Sequence, residues 1–230
     1  MKELIVVTGG SKGIGRAIVE KFAGAGFPVA TCSRNLQNLE QLKNEVDGDL
    51  HVFQADLSTK SEVLGFAKFI NGLNIPVGVL VNNTGFFIPG KIYEEEDGQL
   101  EAMMETNLYS AYHLTRALIG GMIERKSGHI FSMGSIAGLK AYENGGSYSI
   151  SKFAMQGFTL NLREETKDLG IRVTSINPGA TFTASWEGAD IEEDRLMPSE
   201  DIAEAVYSAY TMSDRTVVEE IVIRPQKGDL

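Results

Sequence analysis

A tyrosine and a lysine lie four residues apart at Tyr148 and Lys152, within the run Ser-Tyr-Ser-Ile-Ser-Lys at 147–152. If this run is helical, the two side chains share one face, about one turn apart. An ammonium group beside a phenol favours the phenolate and lowers the tyrosine pKa from its usual value of ~10. Such a tyrosine can exchange protons with a substrate near neutral pH. The pair therefore predicts acid–base chemistry, with an ordinary solvated helix face as the alternative.

A glycine-rich turn follows the first apolar run of the chain, at 4–7. Residues 8–15 read Thr-Gly-Gly-Ser-Lys-Gly-Ile-Gly, and apolar residues continue beyond them at helical spacing. This order predicts a buried strand, a tight turn and a helix. Gly9, Gly13 and Gly15 would let the backbone approach a pyrophosphate at the positive end of the helix dipole. The turn therefore predicts a dinucleotide site, although an ordinary glycine turn is the alternative.

Three more motifs accompany the glycine turn and the tyrosine–lysine pair. The run Asn-Asn-Thr-Gly stands at 82–85, Asn107 follows a threonine, and Ser135 lies thirteen residues before Tyr148. With these motifs the chain resembles the short-chain dehydrogenase/reductase family over essentially its whole length. Thr84 stands where the family has alanine, which is one small departure inside a core motif.

The resemblance implies catalytic roles for four residues. Ser135 would hold the substrate carbonyl, and Tyr148 would protonate its oxygen as a hydride arrives. Lys152 would lower the pKa of the tyrosine and bind the ribose hydroxyls of the cofactor. Asn107 would position a water molecule that links the lysine to solvent. The implied reaction is reversible hydride transfer between a nicotinamide cofactor and a small carbonyl or alcohol substrate.

The residues after the second predicted strand favour NADP(H) over NAD(H). An enzyme of this kind that prefers NAD usually places an acid there for the ribose 2′-hydroxyl. This chain instead has Ser33 and Arg34. The planar guanidinium can bind a 2′-phosphate, and Lys12 could add a second positive charge. A solvated arginine at the start of a helix is the alternative.

The resemblance extends the cofactor site along the chain. Asp56 would contact the adenine, with a helix cap as the alternative, and the Asn-Pro-Gly run at 177–179 would hold the nicotinamide end. The full predicted set of cofactor contacts is Gly9, Ser11, Lys12, Gly13, Ile14, Gly15, Ser33, Arg34, Asp56, Leu57, Asn83, Gly85, Tyr148, Lys152, Pro178, Gly179, Thr181 and Thr183.

The order of apolar runs predicts an α/β fold. Strands are expected at 3–8, 28–32, 50–54, 77–81, 128–133, 171–176 and 219–223, and helices at 13–25, 35–46, 59–72, 98–126, 147–168 and 199–212. Nearly all-apolar strands that alternate with helices imply a parallel sheet covered on both faces. We therefore expect a single-domain Rossmann fold over residues 1–230, a doubly wound, seven-stranded parallel sheet with helices on both faces. Irregular segments at 134–146 and 178–197 would lie over the carboxyl ends of strands, where such sheets bind ligands.

Composition narrows the possible partners and location. The 230 residues suffice for one substantial core, and the net charge of −10 argues against nucleic acid or an anionic membrane as a partner. No apolar run approaches the ~20 residues of a membrane-spanning helix, and the N-terminal run is too short for a signal peptide. Cys32, the single cysteine, cannot form an internal disulfide, which favours a reducing, cytoplasmic location. No metal site is predicted.

Aromatic residues in the loops near these motifs suit a flat or apolar carbonyl compound. The predicted substrate contacts are Phe86, Tyr142, Phe182 and Trp186, although each could simply pack beneath its loop. Trp186 is the only tryptophan, and it lies in a segment at about 180–197 that we expect to act as a lid. We expect the lid to be mobile without ligand and to order over the bound cofactor and substrate.

The tail at 215–230 is similar to that of bacterial sepiapterin reductase-like members of the family, which reduce a pterin side-chain ketone with NADPH. The resemblance also implies a homodimer or homotetramer formed through the long helices at 98–126 and 147–168. Two other functions stay open: a 3-oxoacyl-carrier-protein reductase of fatty acid synthesis, and a non-catalytic NADP-binding regulator. Acids at 187–194 would repel an acidic carrier. The presence of all four catalytic residues argues against a regulator, because a protein that only binds the cofactor would not need them.

Overall fold

Seven parallel strands form one sheet at the centre of the molecule. The computed structural model describes residues 2–183 and 192–228. The strands are β1 (Leu4–Thr8), β2 (Val29–Ser33), β3 (Leu50–Gln54), β4 (Val77–Asn82), β5 (Gly128–Met133), β6 (Ile171–Pro178) and β7 (Glu220–Ile223). They lie in the order β3-β2-β1-β4-β5-β6-β7. From β1 the strands β2 and β3 are added on one side, and β4 to β7 are added on the other side. The strand order therefore reverses between β1 and β4, and the carboxyl ends of these two strands flank the crevice where such sheets bind ligands.

Helices connect the strands and cover both faces of the sheet. They are α1 (Gly13–Gly24), α2 (Leu36–Glu45), α3 (Lys60–Gly72), α4 (Gln99–Met104), α5 (Ser110–Arg125), α6 (Gly146–Thr166) and α7 (Ser199–Tyr210). Short 3₁₀ turns occur at Ile136–Gly138, Lys167–Leu169 and Glu193–Arg195.

The long helix expected at 98–126 runs over 99–125 in the structure. A π-helical turn, Glu105–Tyr109, separates α4 from α5. The helical run is as predicted, but apolar spacing does not reveal the π turn, because such a turn inserts one residue into the backbone without changing that spacing on either side. Such turns are frequent at functional sites, and this one contains Asn107.

The strand β1 shows how the core is divided between two faces. Its side chains alternate across the sheet: Ile5 and Val7 pack on the side of α1 and α7, whereas Leu4 and Val6 pack on the side of α3 and α5. All four are fully buried. Each such side chain contributes roughly 1.5–3 kcal/mol relative to an exposed position. Because both faces are covered, the strand has no polar alternation, as the sequence predicted.

The doubly wound fold predicted from the sequence is confirmed. The strand boundaries agree with the prediction to within two residues. The assignment of a single domain to residues 1–230 stays a prediction, although one sheet joins strands from both ends of the described chain. Among the described residues, no helix combines the length and apolar character needed to cross a bilayer.

Candidate active site

A cleft of about 1120 Å³ lies at the carboxyl ends of the central strands. The loops that follow β1, β2, β4, β5 and β6 all contribute to its walls. Every residue of the predicted cofactor set lines this one cleft, and so do the predicted catalytic residues Ser135, Tyr148 and Lys152. The tertiary structure therefore brings together residues that are spread over most of the chain.

The glycine turn forms one end of the cleft. Gly9 and Gly13 have φ values of +67° and +51°, which L side chains rarely adopt. A methyl carbon added at Gly15 would lie 2.3 Å from the carbonyl oxygen of Gly9. In the described chain no side chain caps the start of α1 at Lys12, so its first N–H groups are available to an anion, which the helix dipole also favours.

Thr8 joins the glycine turn to the loop after β4. Its hydroxyl oxygen accepts hydrogen bonds from the backbone N–H groups of Asn83 and Thr84, each at 2.9 Å. The amide Nδ2 of Asn83 donates in return to the carbonyl oxygen of Thr8 at 2.9 Å. Sequence reasoning missed Thr8, although a buried polar residue at the end of an otherwise apolar strand could have indicated such a role.

The hydroxyl of Thr84 is a polar group that the chain itself leaves unsatisfied. It is buried and has no hydrogen-bond partner among the described residues. A methyl carbon added at Gly9 would lie 3.0 Å from this oxygen, so the hydroxyl lies against the glycine turn. A nucleotide phosphate or ribose in the cleft fits both this unsatisfied group and the space left by the glycines.

The side chains that follow β2 also line the end of the cleft that the glycine turn forms. The Ser11 hydroxyl donates to the Ser33 hydroxyl at 2.9 Å, and the backbone N–H of Asn35 donates to Ser33 at 3.3 Å. Arg34 is exposed and forms no ion pair with any residue that the structure describes. Asn38 also lines this end of the cleft, although it is not among the residues predicted from the sequence.

Asp56 follows β3 at the wall of the cleft. It lines the cleft, as an adenine-contacting residue should. Its Oδ1 atom also accepts a hydrogen bond from the backbone N–H of Ser58 at 3.0 Å, so the carboxylate stabilises the turn that leads into α3. It does not cap α3 itself, whose N-cap residue is Thr59, and its contact with adenine stays a prediction.

Tyr148, Ser135 and Lys152 converge in the middle of the cleft. The side chain of Ser135 lies next to the phenol of Tyr148 and acts to lower its pKa. The Nζ atom of Lys152 donates to the carbonyl oxygen of Met133 at 2.9 Å and lies 5.7 Å from the centroid of the Tyr148 ring. Ser135 also accepts the backbone N–H of Ala137 at 3.1 Å, which fixes its side chain at the start of a 3₁₀ turn.

The pKa of Tyr148 moves in the opposite direction to the sequence prediction. Burial raises it to about 12, and the neighbouring Ser135 side chain only partly offsets this effect. Burial lowers the pKa of Lys152 to about 8. The prediction of a lowered tyrosine pKa was therefore wrong for the protein without ligand. Removal from water disfavours the phenolate, and the Nζ atom of Lys152 donates its hydrogen bond to a carbonyl oxygen and not to the phenol.

Asn107 is fully buried in the π turn. Its Oδ1 atom accepts the backbone N–H of Phe86 at 2.9 Å. Its Nδ2 atom donates to the carbonyl oxygen of Phe86 at 3.1 Å and to the hydroxyl of Ser151 at 3.0 Å. The amide hydrogens are thus used to join the loop after β4 to α6. The role of Asn107 in positioning a water molecule stays a prediction.

Of the predicted substrate residues, Phe86 and Tyr142 line the cleft. Phe182 does not appear among the described lining residues, and its side chain is 49% exposed. Its contact with a substrate stays a prediction. Trp186 lies outside the described residues.

The ends of the predicted lid are held in place, because Phe182 N–H donates to Met197 and Met197 N–H donates to Ala180. The central part of the lid, 184–191, lies outside the described residues, so its function as a lid stays a prediction.

Two basic residues in the cleft were missed by sequence reasoning. Lys140 follows the 3₁₀ turn after Ser135, and Arg224 follows β7. Lys140 falls within the irregular segment 134–146 that was already expected to contact a ligand, so its charge was an available signal. Arg224 reaches the cleft only because β7 lies next to β6, which its own sequence context does not indicate.

The sequence of the chain is similar to those of known proteins. Residues 3–194 match the sequence model described as short chain dehydrogenase. The sepiapterin reductase of Chlorobaculum tepidum is 36% identical over 241 residues, which cover 100% of this chain and 99% of that protein.

Two solved structures are similar throughout. A metagenomic short-chain oxidoreductase in complex with NADP has a TM-score of 0.85 and 29% identity, covering 97% of each chain. The closed form of a serine dehydrogenase complexed with NADP⁺ has a TM-score of 0.88 and 28% identity, covering 95% of this chain and 93% of the other. The family resemblance drawn from the motifs, including that to sepiapterin reductase-like members, is confirmed.

Proposed function

The chain belongs to the short chain dehydrogenase family, and from that premise we propose that it is an NADPH-dependent reductase. It would transfer a hydride reversibly between NADP(H) and a small carbonyl or alcohol substrate. The observation that carries the proposal is the convergence of Ser135, Tyr148 and Lys152 in the same cleft as the glycine turn.

The charges around the cleft support an anionic cofactor. The chain carries a net charge of −10, yet Asp56 is the only acidic residue among the described residues that line the cleft. The basic lining residues are Lys12, Arg34, Lys140, Lys152 and Arg224. A cleft lined by one sign of charge concentrates ligands of the opposite sign. This contrast fits the phosphates of NADP(H), and NADP in the complexes of two structural relatives agrees with it.

Specific residues of this chain fit each part of NADP(H). The N-terminus of α1 and the glycine turn would hold the pyrophosphate. Arg34 and Lys12 would bind the 2′-phosphate, Asp56 would contact the adenine, and Lys152 would bind the ribose next to the nicotinamide. When bound, the cofactor supplies the hydride that reduces the carbonyl carbon.

The side chains of the cleft supply the accompanying proton. Ser135 donates a hydrogen bond to the substrate carbonyl oxygen and holds it beside the phenol of Tyr148. Because the pKa of Tyr148 is raised to about 12, the phenol carries its proton at neutral pH and transfers it to that oxygen as the C–O double bond becomes single. Lys152, whose pKa of about 8 keeps it mostly charged at pH 7, then stabilises the phenolate.

A pterin-type ketone is the substrate that we propose. The aromatic side chains of Phe86, Phe87 and Tyr142 line the substrate end of the cleft and suit a flat ring. The 36% identity with a sepiapterin reductase supports the same substrate class. A 3-oxoacyl-carrier-protein substrate is less well supported, because the acids at 187–194 of the sequence would repel an acidic carrier protein.

A substrate screen tests the proposed function. Loss of NADPH absorbance is followed with sepiapterin, a small diketone and a 3-oxoacyl thioester as separate substrates, and with NADH in place of NADPH. We expect turnover of sepiapterin with NADPH that is abolished by Tyr148→Phe. NADPH binding without turnover of any carbonyl compound would instead favour the non-catalytic regulator. Turnover of the thioester alone would favour the acyl-carrier reductase.

We also propose that the protein is cytoplasmic and forms a homodimer or homotetramer. Exposed apolar residues on the two long helices support association: Tyr109 and Tyr112 lie at or near the start of α5, and Phe153 and Leu160 lie on α6. Light scattering on the purified protein measures the assembly, and a monomer at micromolar concentration would contradict it.

A further inference from the structure

The segment 86–98 joins β4 to α4 and forms one wall of the cleft. Phe86 and Phe87 at its start line the cleft. Phe87 contacts Tyr148 edge to face, with ring centroids 4.7 Å apart. Under the proposed function, the position of this segment relative to α6 therefore sets how a substrate lies against the phenol.

A single carboxylate in this segment reaches the first turn of α6. The Oε1 atom of Glu95 accepts the backbone N–H of Ser147 at 2.8 Å. The hydroxyl of Ser147 donates to the other oxygen, Oε2, of the same carboxylate. The residue before the helix, Gly145, has no side chain that could cap it, so Glu95 satisfies an N–H group that the helix leaves unpaired.

The approach of the two segments is close. Gly146, the first residue of α6, has a φ of +43°, and a methyl carbon added there would lie 2.0 Å from Oε1 of Glu95 and 2.6 Å from the carbonyl oxygen of Gly90. The backbone N–H of Gly90 donates to the carbonyl oxygen of Asn144 at 3.0 Å. Glycine is thus required at 146 for the carboxylate to reach the helix.

The segment is fastened to α6 at both of its ends. At the first end, Asn107 connects the backbone of Phe86 to the hydroxyl of Ser151. At the other end, Glu95 binds Ser147. Tyr148 lies between the two attachment points along α6. The two attachments therefore hold the aromatic wall and the phenol in one fixed relative position.

We propose that Glu95 is a positioning residue, which acts through Ser147 to align Tyr148 with the substrate wall formed by Phe86 and Phe87. This inference rests on the proposed reductase function. Glu95 touches neither Tyr148 nor any described lining residue of the cleft by a hydrogen bond, so its effect on the reaction is indirect. No acid–base role is assigned to it.

The test compares Glu95→Ala, Glu95→Gln and the matched control Glu96→Ala. Glu96 is an exposed acid in the same segment whose side chain makes no contact with a described residue by hydrogen bond or ion pair. Three quantities are measured for each variant: the Kd of NADPH by calorimetry, kcat and KM for a ketone that the wild type reduces, and the melting temperature.

We expect Glu95→Ala to lower kcat/KM by about tenfold to a hundredfold, since a displacement of about 1 Å can cost that much. The Kd of NADPH should stay within about twofold, because cofactor contacts lie elsewhere. Glu95→Gln should recover most of the activity, because an amide can accept the N–H of Ser147 and donate to its hydroxyl. Glu96→Ala should match the wild type.

Three results would overturn the proposal. The first is a Glu95→Ala enzyme whose kcat and KM equal those of the wild type, whatever its melting temperature. The second is a loss of kcat/KM in Glu96→Ala equal to that in Glu95→Ala. The third is a Glu95→Ala enzyme in which only NADPH binding is weakened. A wild-type protein that reduces no ketone would remove the proposed function instead. In that case, hydrogen exchange tests the role of Glu95 independently of activity. Glu95→Ala should speed the exchange of the backbone amides at 146–150, and unchanged exchange there would overturn the positioning role.

Discussion

The Nζ atom of Lys152 lies 5.7 Å from the centre of the Tyr148 ring, while its hydrogen bond goes to the carbonyl oxygen of Met133. Burial acts on both groups and favours their neutral forms, so the pKa of Tyr148 rises to about 12 and that of Lys152 falls to about 8. At neutral pH the phenol is therefore protonated. The phenol of Tyr148 can therefore donate a proton, as the proposed carbonyl reduction requires.

Removal of the phenol hydroxyl should abolish turnover. We expect Tyr148→Phe to lower kcat by about 10²–10⁴-fold, the usual contribution of a positioned proton donor. NADPH affinity should change little, because under the proposed function the glycine turn, Arg34 and Lys152 would hold the cofactor. Steady-state kinetics and calorimetry measure the two effects. Tyr93→Phe, at a side chain that is 80% exposed, is the control, and a Tyr148→Phe enzyme with more than about a tenth of wild-type activity would contradict the assignment.

Stability should depend on pH through Lys152. Its pKa falls from 10.5 in the unfolded chain to about 8 in the folded one. Between those values the unfolded chain binds a proton that the folded chain has released, so the free energy of unfolding rises with pH over this window. In Lys152→Met the rise should be smaller.

Urea denaturation at a series of pH values between about 8 and 10 measures this slope. Lys68→Met removes an exposed lysine of α3 and should keep the wild-type slope. Parallel pH curves for the wild type and Lys152→Met would contradict the predicted burial of the amine.

Cofactor preference should depend on Arg34. We expect NADPH to bind at least about tenfold more tightly than NADH, because a charge-assisted hydrogen bond to the 2′-phosphate contributes about 1.5–3 kcal/mol. Arg34→Ala should remove most of this preference while NADH affinity stays nearly constant. Titration calorimetry with both cofactors tests it. Lys43→Ala, on the exposed side of α2, controls for overall charge, and equal affinities in the wild type would refute the prediction.

Two glycines of α1 should respond in opposite ways to alanine. A methyl group at Gly15 would lie 2.3 Å from a backbone oxygen and 2.5 Å from Nδ2 of Asn83, whereas nothing lies within 4 Å of one at Gly24. Gly15→Ala must displace the glycine turn, so NADPH binding should be lost. Gly24→Ala should keep NADPH binding and raise the free energy of unfolding by no more than roughly 0.5–1 kcal/mol, because Gly24 is the last residue of α1 and the advantage of alanine is largest inside a helix. Denaturation and cofactor titration on both variants measure this, and intact NADPH binding in Gly15→Ala would show that the turn is not a phosphate cradle.

Local features of the fold and site could be read from the sequence. Apolar runs placed the seven strands because a parallel strand covered on both faces has no polar alternation. The i, i+4 spacing placed Tyr148 and Lys152 on one face of α6 because helical periodicity is a local property. Glycine positions 9 and 13 were identifiable because positive φ is a demand on a single residue.

Other features were decided only by the tertiary structure. The joining of Glu95 to Ser147 spans 52 residues, and that of Thr8 to Asn83 spans 75. Neither residue type predicts its partner at such a separation, because hydrogen bonding is short-ranged and the fold alone sets which groups meet. The direction of the pKa shift of Tyr148 was decided in the same way. The sequence determined which charge lies one helical turn away, but the pKa depends also on how much water the surrounding elements exclude, and here that desolvation dominates.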